Sequence, residues 1–74
     1  MTPDQLRQAL HDLNGERNVS VVFSNAETCD IKRAMLVPEE ADTLVKLTDG
    51  TNEFIIDADR VAWIRIGKGD KLQT

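Results

Sequence analysis

Residues 43–66 constrain the fold most, because short apolar runs alternate there with turn signals. Three runs fit short strands: Leu44–Leu47, Phe54–Ile56 and Val61–Ile66. Asp49-Gly50 separates the first two runs, and this pair favours a tight hairpin in which the Gly takes a positive φ. Asp57 suits the cap of one helical or 3-10 turn before the last run. This order of strands and turns is typical of a very small β-barrel.

The N-terminal residues predict a helix over 3–14. Thr2 and Gln5 have the spacing of a capping box, and Pro3 suits the first helical position. An apolar stripe with helical spacing follows, made of Leu6, Ala9, Leu10 and Leu13. We expect this stripe to pack on the chain's own sheet, with packing on a partner as the alternative.

The strand predicted over 29–37 changes phase along its length. Ile31 belongs to one face of the alternating pattern, whereas Ala34 belongs to the other. Such a slip indicates a β-bulge or a sharp bend, here near Lys32 and Arg33. Strongly bent strands are what close a small barrel.

These patterns predict a mainly β fold in one domain. An N-terminal α-helix is followed by a strongly bent, five-stranded antiparallel barrel over residues 19–66, and residues 67–74 form a flexible tail. A chain of 74 residues buries only about 60% of the surface that its unfolded form exposes. Small scaffolds usually gain stability from disulfides, metals or oligomerisation. Because Cys29 is the only cysteine, we expect a homo-oligomer.

Composition excludes several classes of function. The net charge is −4, which argues against duplex DNA as a partner, since Lys and Arg supply most of that affinity. No run reaches the ~18 apolar residues of a membrane span, and residues 1–5 do not resemble a signal peptide. One Cys and one His make no metal set or nucleophile–base pair. We therefore expect a cytoplasmic protein that is not an enzyme and uses no cofactor, catalytic residue or metal.

The element order resembles the Sm-like fold, which includes eukaryotic Sm proteins and bacterial host-factor-Q RNA chaperones. The resemblance covers about residues 3–66 and implies a hexameric or heptameric ring that binds RNA. The chain departs from the family in three places. Residues 30–34 lack the usual Gly, and the loop over 37–42 is acidic and lacks Asn. The connector over 57–60 carries Arg60 as its only basic residue.

Two sets of residues are candidate sites. Trp63 shares a face with Val61 and Arg65 in a regular strand, and an outward Trp is typical of subunit interfaces; the alternative is a Trp63 that covers the helix or one barrel end. Lys32, Arg33 and Arg60 form a candidate site for RNA, as part of a basic rim that also includes Lys46 and Arg65, with solvated charge as the alternative. SH3-like barrels share the five-strand layout, so an acidic adaptor that binds a protein partner is the second hypothesis for the function.

Overall fold

The protein folds as one helix and one five-stranded sheet. The computed structural model describes residues 1–42 and 44–68. The elements are α1 (Pro3–Leu10), β1 (Arg17–Phe23), β2 (Thr28–Leu36), β3 (Val45–Thr48), β4 (Glu53–Ile56), a 3-10 turn (Ala58–Arg60) and β5 (Val61–Ile66). The strands pair antiparallel in the order β4-β3-β2-β1-β5. The predicted mainly β fold with an N-terminal helix is therefore confirmed.

A bulge in β2 divides this sheet into two halves. Between the pairs Arg17–Ala34 and Val19–Ile31, β2 contains one more residue than β1. Arg33 takes a φ of 50° there, and its N–H donates to Asn18 Oδ1 at 3.0 Å. The first half of β2 pairs with β1, and its last residues pair with β3. The bend predicted near Lys32 and Arg33 is confirmed.

Because of the bulge, we expect glycine to stabilise the fold at position 33 and to destabilise it at position 32. A left-handed φ costs a non-Gly residue about 1–2 kcal/mol, whereas Gly in ordinary strand backbone costs about 0.5–1 kcal/mol. We expect Arg33→Gly to raise the free energy of unfolding by up to about 1 kcal/mol and Lys32→Gly to lower it by about 0.5–1 kcal/mol. Urea denaturation of both variants measures this difference. An equal loss of unfolding free energy in both variants would contradict the left-handed backbone conformation of Arg33.

The sheet is not closed into a barrel, so that part of the prediction is wrong. β4 and β5 are the two ends of the strand order and do not pair within the described residues. β5, β1 and the first part of β2 form one half of the sheet, and the last residues of β2 form the other half with β3 and β4. An opening of about 380 Å³ lies beside β4, and residues that line it include Phe23, Glu27, Ile55 and Arg60.

Helix α1 covers the inner face of the sheet. The predicted capping box is present, with Thr2 and Gln5 exchanging hydrogen bonds of 3.1 Å. The core is made of Leu6, Leu10, Leu13, Val19, Val21, Ile31, Ala34, Val45, Leu47, Ile56, Ala58 and Val61. The stripe thus packs on the chain's own sheet, as expected, except that Ala9 is exposed.

The helix is shorter than the predicted 3–14. It ends at Leu10, and the chain then reverses through Asn14 and Gly15, which have φ values of 53° and 71°. Leu13 is still buried after this reversal. The last residue of the apolar stripe therefore reaches the core from a turn and not from the helix. The predicted tail begins at Gly67, whose N–H donates to Asn18 O at 2.8 Å; residues 69–74 lie outside the described part of the chain.

Candidate binding surfaces

The outer face of β5 exposes the only tryptophan. Trp63 is 47% exposed, and it lies opposite Val22 of β1. The guanidinium of Arg65 lies over the Trp63 ring, 5.4 Å from its centroid. A cation over an indole face is attracted by the ring quadrupole. Of the two orientations that the sequence left open, Trp63 takes the outward one together with Arg65, and their role in an interface stays a prediction.

Val61 does not share this outer face, and its predicted place at an interface is wrong. It is 5% exposed and belongs to the core. The pairs Val22–Trp63 and Phe23–Val61 leave Ala62 as an extra residue in β5. A bulge of this kind reverses the alternation of side chains, so Ala62 is exposed and Val61 is buried. A regular period-2 pattern cannot reveal such a reversal.

The opposite sheet edge, β4, also exposes apolar surface. Ile55 is 59% exposed, and Leu44 at the start of β3 is 44% exposed. A cavity of about 460 Å³ lies beside β4, and Pro3, Leu44, Ile55 and Ala58 are among the residues that line it. The predicted connector bounds this cavity, with Asp57 Oδ1 accepting from Asp59 N–H at 3.2 Å. Its rim is therefore acidic.

The structure does not bring the three predicted RNA-binding residues together. Arg33 lies beside Asn18 at the start of β1, whereas Arg60 O accepts from Ser24 N–H just after the end of β1. Six residues of extended chain separate these points, about 20 Å at ~3.3 Å per residue. Arg60 also forms an ion pair of 3.4 Å with Asp57. Only Lys32 and Arg33 can act at one site.

Three further cations lie at the same end of the sheet as Lys32 and Arg33. Arg17 pairs with Ala34 just beyond the bulge, Arg65 pairs with Ser20, and Lys68 follows Gly67. We call Arg17, Lys32, Arg33, Arg65 and Lys68 the cationic end; all five are exposed. Asp30, the acid in the same row, accepts from Ser20 Oγ at 2.6 Å. The predicted basic rim already grouped Arg65 with Lys32 and Arg33, whereas Arg17 and Lys68 were missed because the strand register brings them to this end.

Away from the cationic end, acidic side chains form ion pairs with Lys46 of β3. Lys46 Nζ lies 2.8 Å from Asp42 and 2.5 Å from Glu40, and its side chain is only 12% exposed. The hydrogen bonds that Lys46 Nζ donates to Asp42 and Glu40 raise the pKa of Lys46, and the bond to Asp42 lowers the pKa of that carboxyl. The acidic loop over 37–42 is thereby fixed to β3.

The residue types that support catalysis are dispersed. His11 is exposed and lies 3.0 Å from Asp12. Cys29 is half-buried against the core, and burial raises the pKa of its thiol, followed by the effect of Asp30. In the described part of the chain, no group of three or more His, Cys, Asp or Glu side chains is placed to hold a metal ion. None of the helices within residues 1–42 and 44–68 has the length and apolar character to span a membrane.

Comparison with known proteins gives no relative on which to base a function. No protein-family model, curated protein or solved structure matches the chain. The resemblance to the Sm-like fold therefore stays a prediction.

Proposed function

We propose that the protein is a non-enzymatic module that associates with copies of itself through its open sheet edges. The observation that supports this most directly is the pair of edge strands, β4 and β5, that lie at opposite ends of one sheet. Within residues 1–42 and 44–68, each of these strands has a neighbouring strand on one side only, and each carries an exposed large apolar residue, Ile55 or Trp63. Edges of this kind are sites of strand addition. The ring implied by the Sm-like resemblance is one form of such an assembly.

Light scattering after size-exclusion chromatography tests this proposal. We expect a mass above that of one chain, and we expect Trp63→Ala to lower the mass while the circular dichroism spectrum is retained. Ile55→Ala tests the opposite edge in the same way, because it removes an exposed apolar side chain from β4; a loss of mass in this variant as well would show that both edges take part. A wild-type mass of one chain at every concentration would overturn self-association and would favour the adaptor hypothesis.

A second candidate function is the binding of single-stranded RNA at the cationic end. Five cations collect there in a chain with a net charge of −4. Because local potential differs from net charge, an acidic protein can still bind a polyanion at such a site. The arrangement replaces the sequence-based set of Lys32, Arg33 and Arg60 with one that omits Arg60.

A further inference from the structure

The backbone of β5 determines which of its residues can pair with another strand. In an antiparallel sheet, the N–H and C=O of one residue point to the same neighbour, and alternate residues point to opposite sides. Gly67 N–H points to Asn18 O of β1, so Arg65 and Trp63 also direct their backbone groups to β1. Ile64 and Ile66 therefore direct theirs to the open edge, while their side chains lie on the inner face against the core.

We propose that two copies pair β5 with β5 about a two-fold axis at Ile64. This inference rests on the proposed self-association and specifies its geometry. In this register Ile64 lies opposite Ile64 of the second copy, as a hydrogen-bonded pair. Both sheets keep the same outer face, and the two copies form one continuous antiparallel sheet.

The outer side chains become self-complementary in this register. Trp63 lies opposite Arg65 of the second copy, and Arg65 lies opposite Trp63 of the second copy. These are non-hydrogen-bonded pairs, in which Cα atoms are only about 4.5 Å apart and side chains are closest. The Trp63–Arg65 contact seen within one chain is thereby repeated twice across the interface. A sequence with Trp and Arg two residues apart on one face is suited to this two-fold pairing.

The other antiparallel pairings are less favourable. At β4, Val37 N–H donates to Lys46 O, so Val45 and Leu47 point to β4, and Glu53 and Ile55 point outwards. Pairing of Ile55 with its own copy places Glu53 opposite Asp57 of the second copy, and like charges directly opposite are destabilising.

Mixed pairing of the two edges meets a different obstacle. The outward-pointing backbone groups of β4 belong to outer-face residues such as Ile55, whereas those of β5 belong to inner-face residues such as Ile64. An antiparallel pair of β4 and β5 therefore joins the outer face of one sheet to the inner face of the next. The β5 pair avoids this mismatch because it matches identical faces.

Disulfide trapping tests the register. In a Cys29→Ala background, we expect Ile64→Cys to form a covalent dimer on mild oxidation, because paired Cα atoms about 5.5 Å apart suit a disulfide. Ile66→Cys, two residues along the same edge, is the matched control and should stay monomeric on a denaturing gel. Equal trapping of both variants, or trapping of the control alone, would overturn the register.

Association of the protein without added cysteines provides an independent test. We expect a dimer mass, and we expect Arg65→Ala to raise the dimer dissociation constant about tenfold through the loss of two cation–π contacts. Arg65→Lys should restore most of the affinity, since a cation is retained. A hexamer or heptamer mass would overturn the two-fold inference while supporting self-association, and a mass of one chain at every concentration would overturn both.

Discussion

Leu10→Ala is expected to lower the free energy of unfolding by about 2–5 kcal/mol, the range for removing a fully buried leucine side chain. Leu10 is 0% exposed and lies in the last turn of α1. A chain of 74 residues has a total stability of about 4–11 kcal/mol, at ~0.05–0.15 kcal/mol per residue. The variant therefore loses a large share of its stability.

Thermal and urea denaturation followed by circular dichroism measure this loss. Gln8→Ala is the matched control, because it alters an exposed position of the same helix and alanine is a good helix former. We expect this control to stay within about 0.5 kcal/mol of the original protein. A Leu10→Ala variant as stable as the control would show that α1 does not contribute to the core.

RNA binding at the cationic end is expected to depend strongly on salt. If four of the five cations contact phosphates, the logarithm of affinity for a single strand falls with a slope of about −2.8 against the logarithm of salt concentration. Affinity then decreases about 50-fold between 50 and 200 mM salt. Fluorescence anisotropy of short U-rich and A-rich RNA measures this slope.

Two single substitutions locate the RNA site. Lys32→Ala should weaken binding to both RNAs and reduce the salt slope by about 0.7, the contribution of one phosphate contact. Arg60→Ala is the matched control, since Arg60 lies at the other end of β1 and forms an ion pair with Asp57. Loss of affinity in the Arg60 variant alone would place the site elsewhere, and absence of binding at low salt would exclude RNA as the ligand.

The local features of the fold were predictable from sequence because short-range chemistry determines them. The Thr2–Gln5 capping box, the positive φ of Gly50 and the Asp57 cap all depend on residues close in the chain. The phase slip before Ala34 also predicted the β2 bulge, since an extra residue reverses an alternating pattern.

The features that prediction missed depend on pairing between distant segments. The second bulge, at Ala62, is visible only in the register of β5 with β1. The same register brings Lys68 to the end of the sheet that carries Arg33, and it leaves Arg60 at the far end. Sequence patterns also do not reveal that the sheet is open. A strand that closes a barrel and a strand at an edge show the same alternation of apolar and polar residues.

The position of β5 in the sheet has a consequence for folding kinetics. β1 pairs with β2 through a short hairpin and β3 pairs with β4 through another, whereas Val21 pairs with Ile64 across more than half of the chain. Loop-closure entropy delays such distant contacts. We therefore expect β5 to join the sheet after the two hairpins have formed, and with a neighbouring strand on one side only it is open to separation in local unfolding. A second copy bound to β5 would slow that separation and protect its amides from hydrogen exchange.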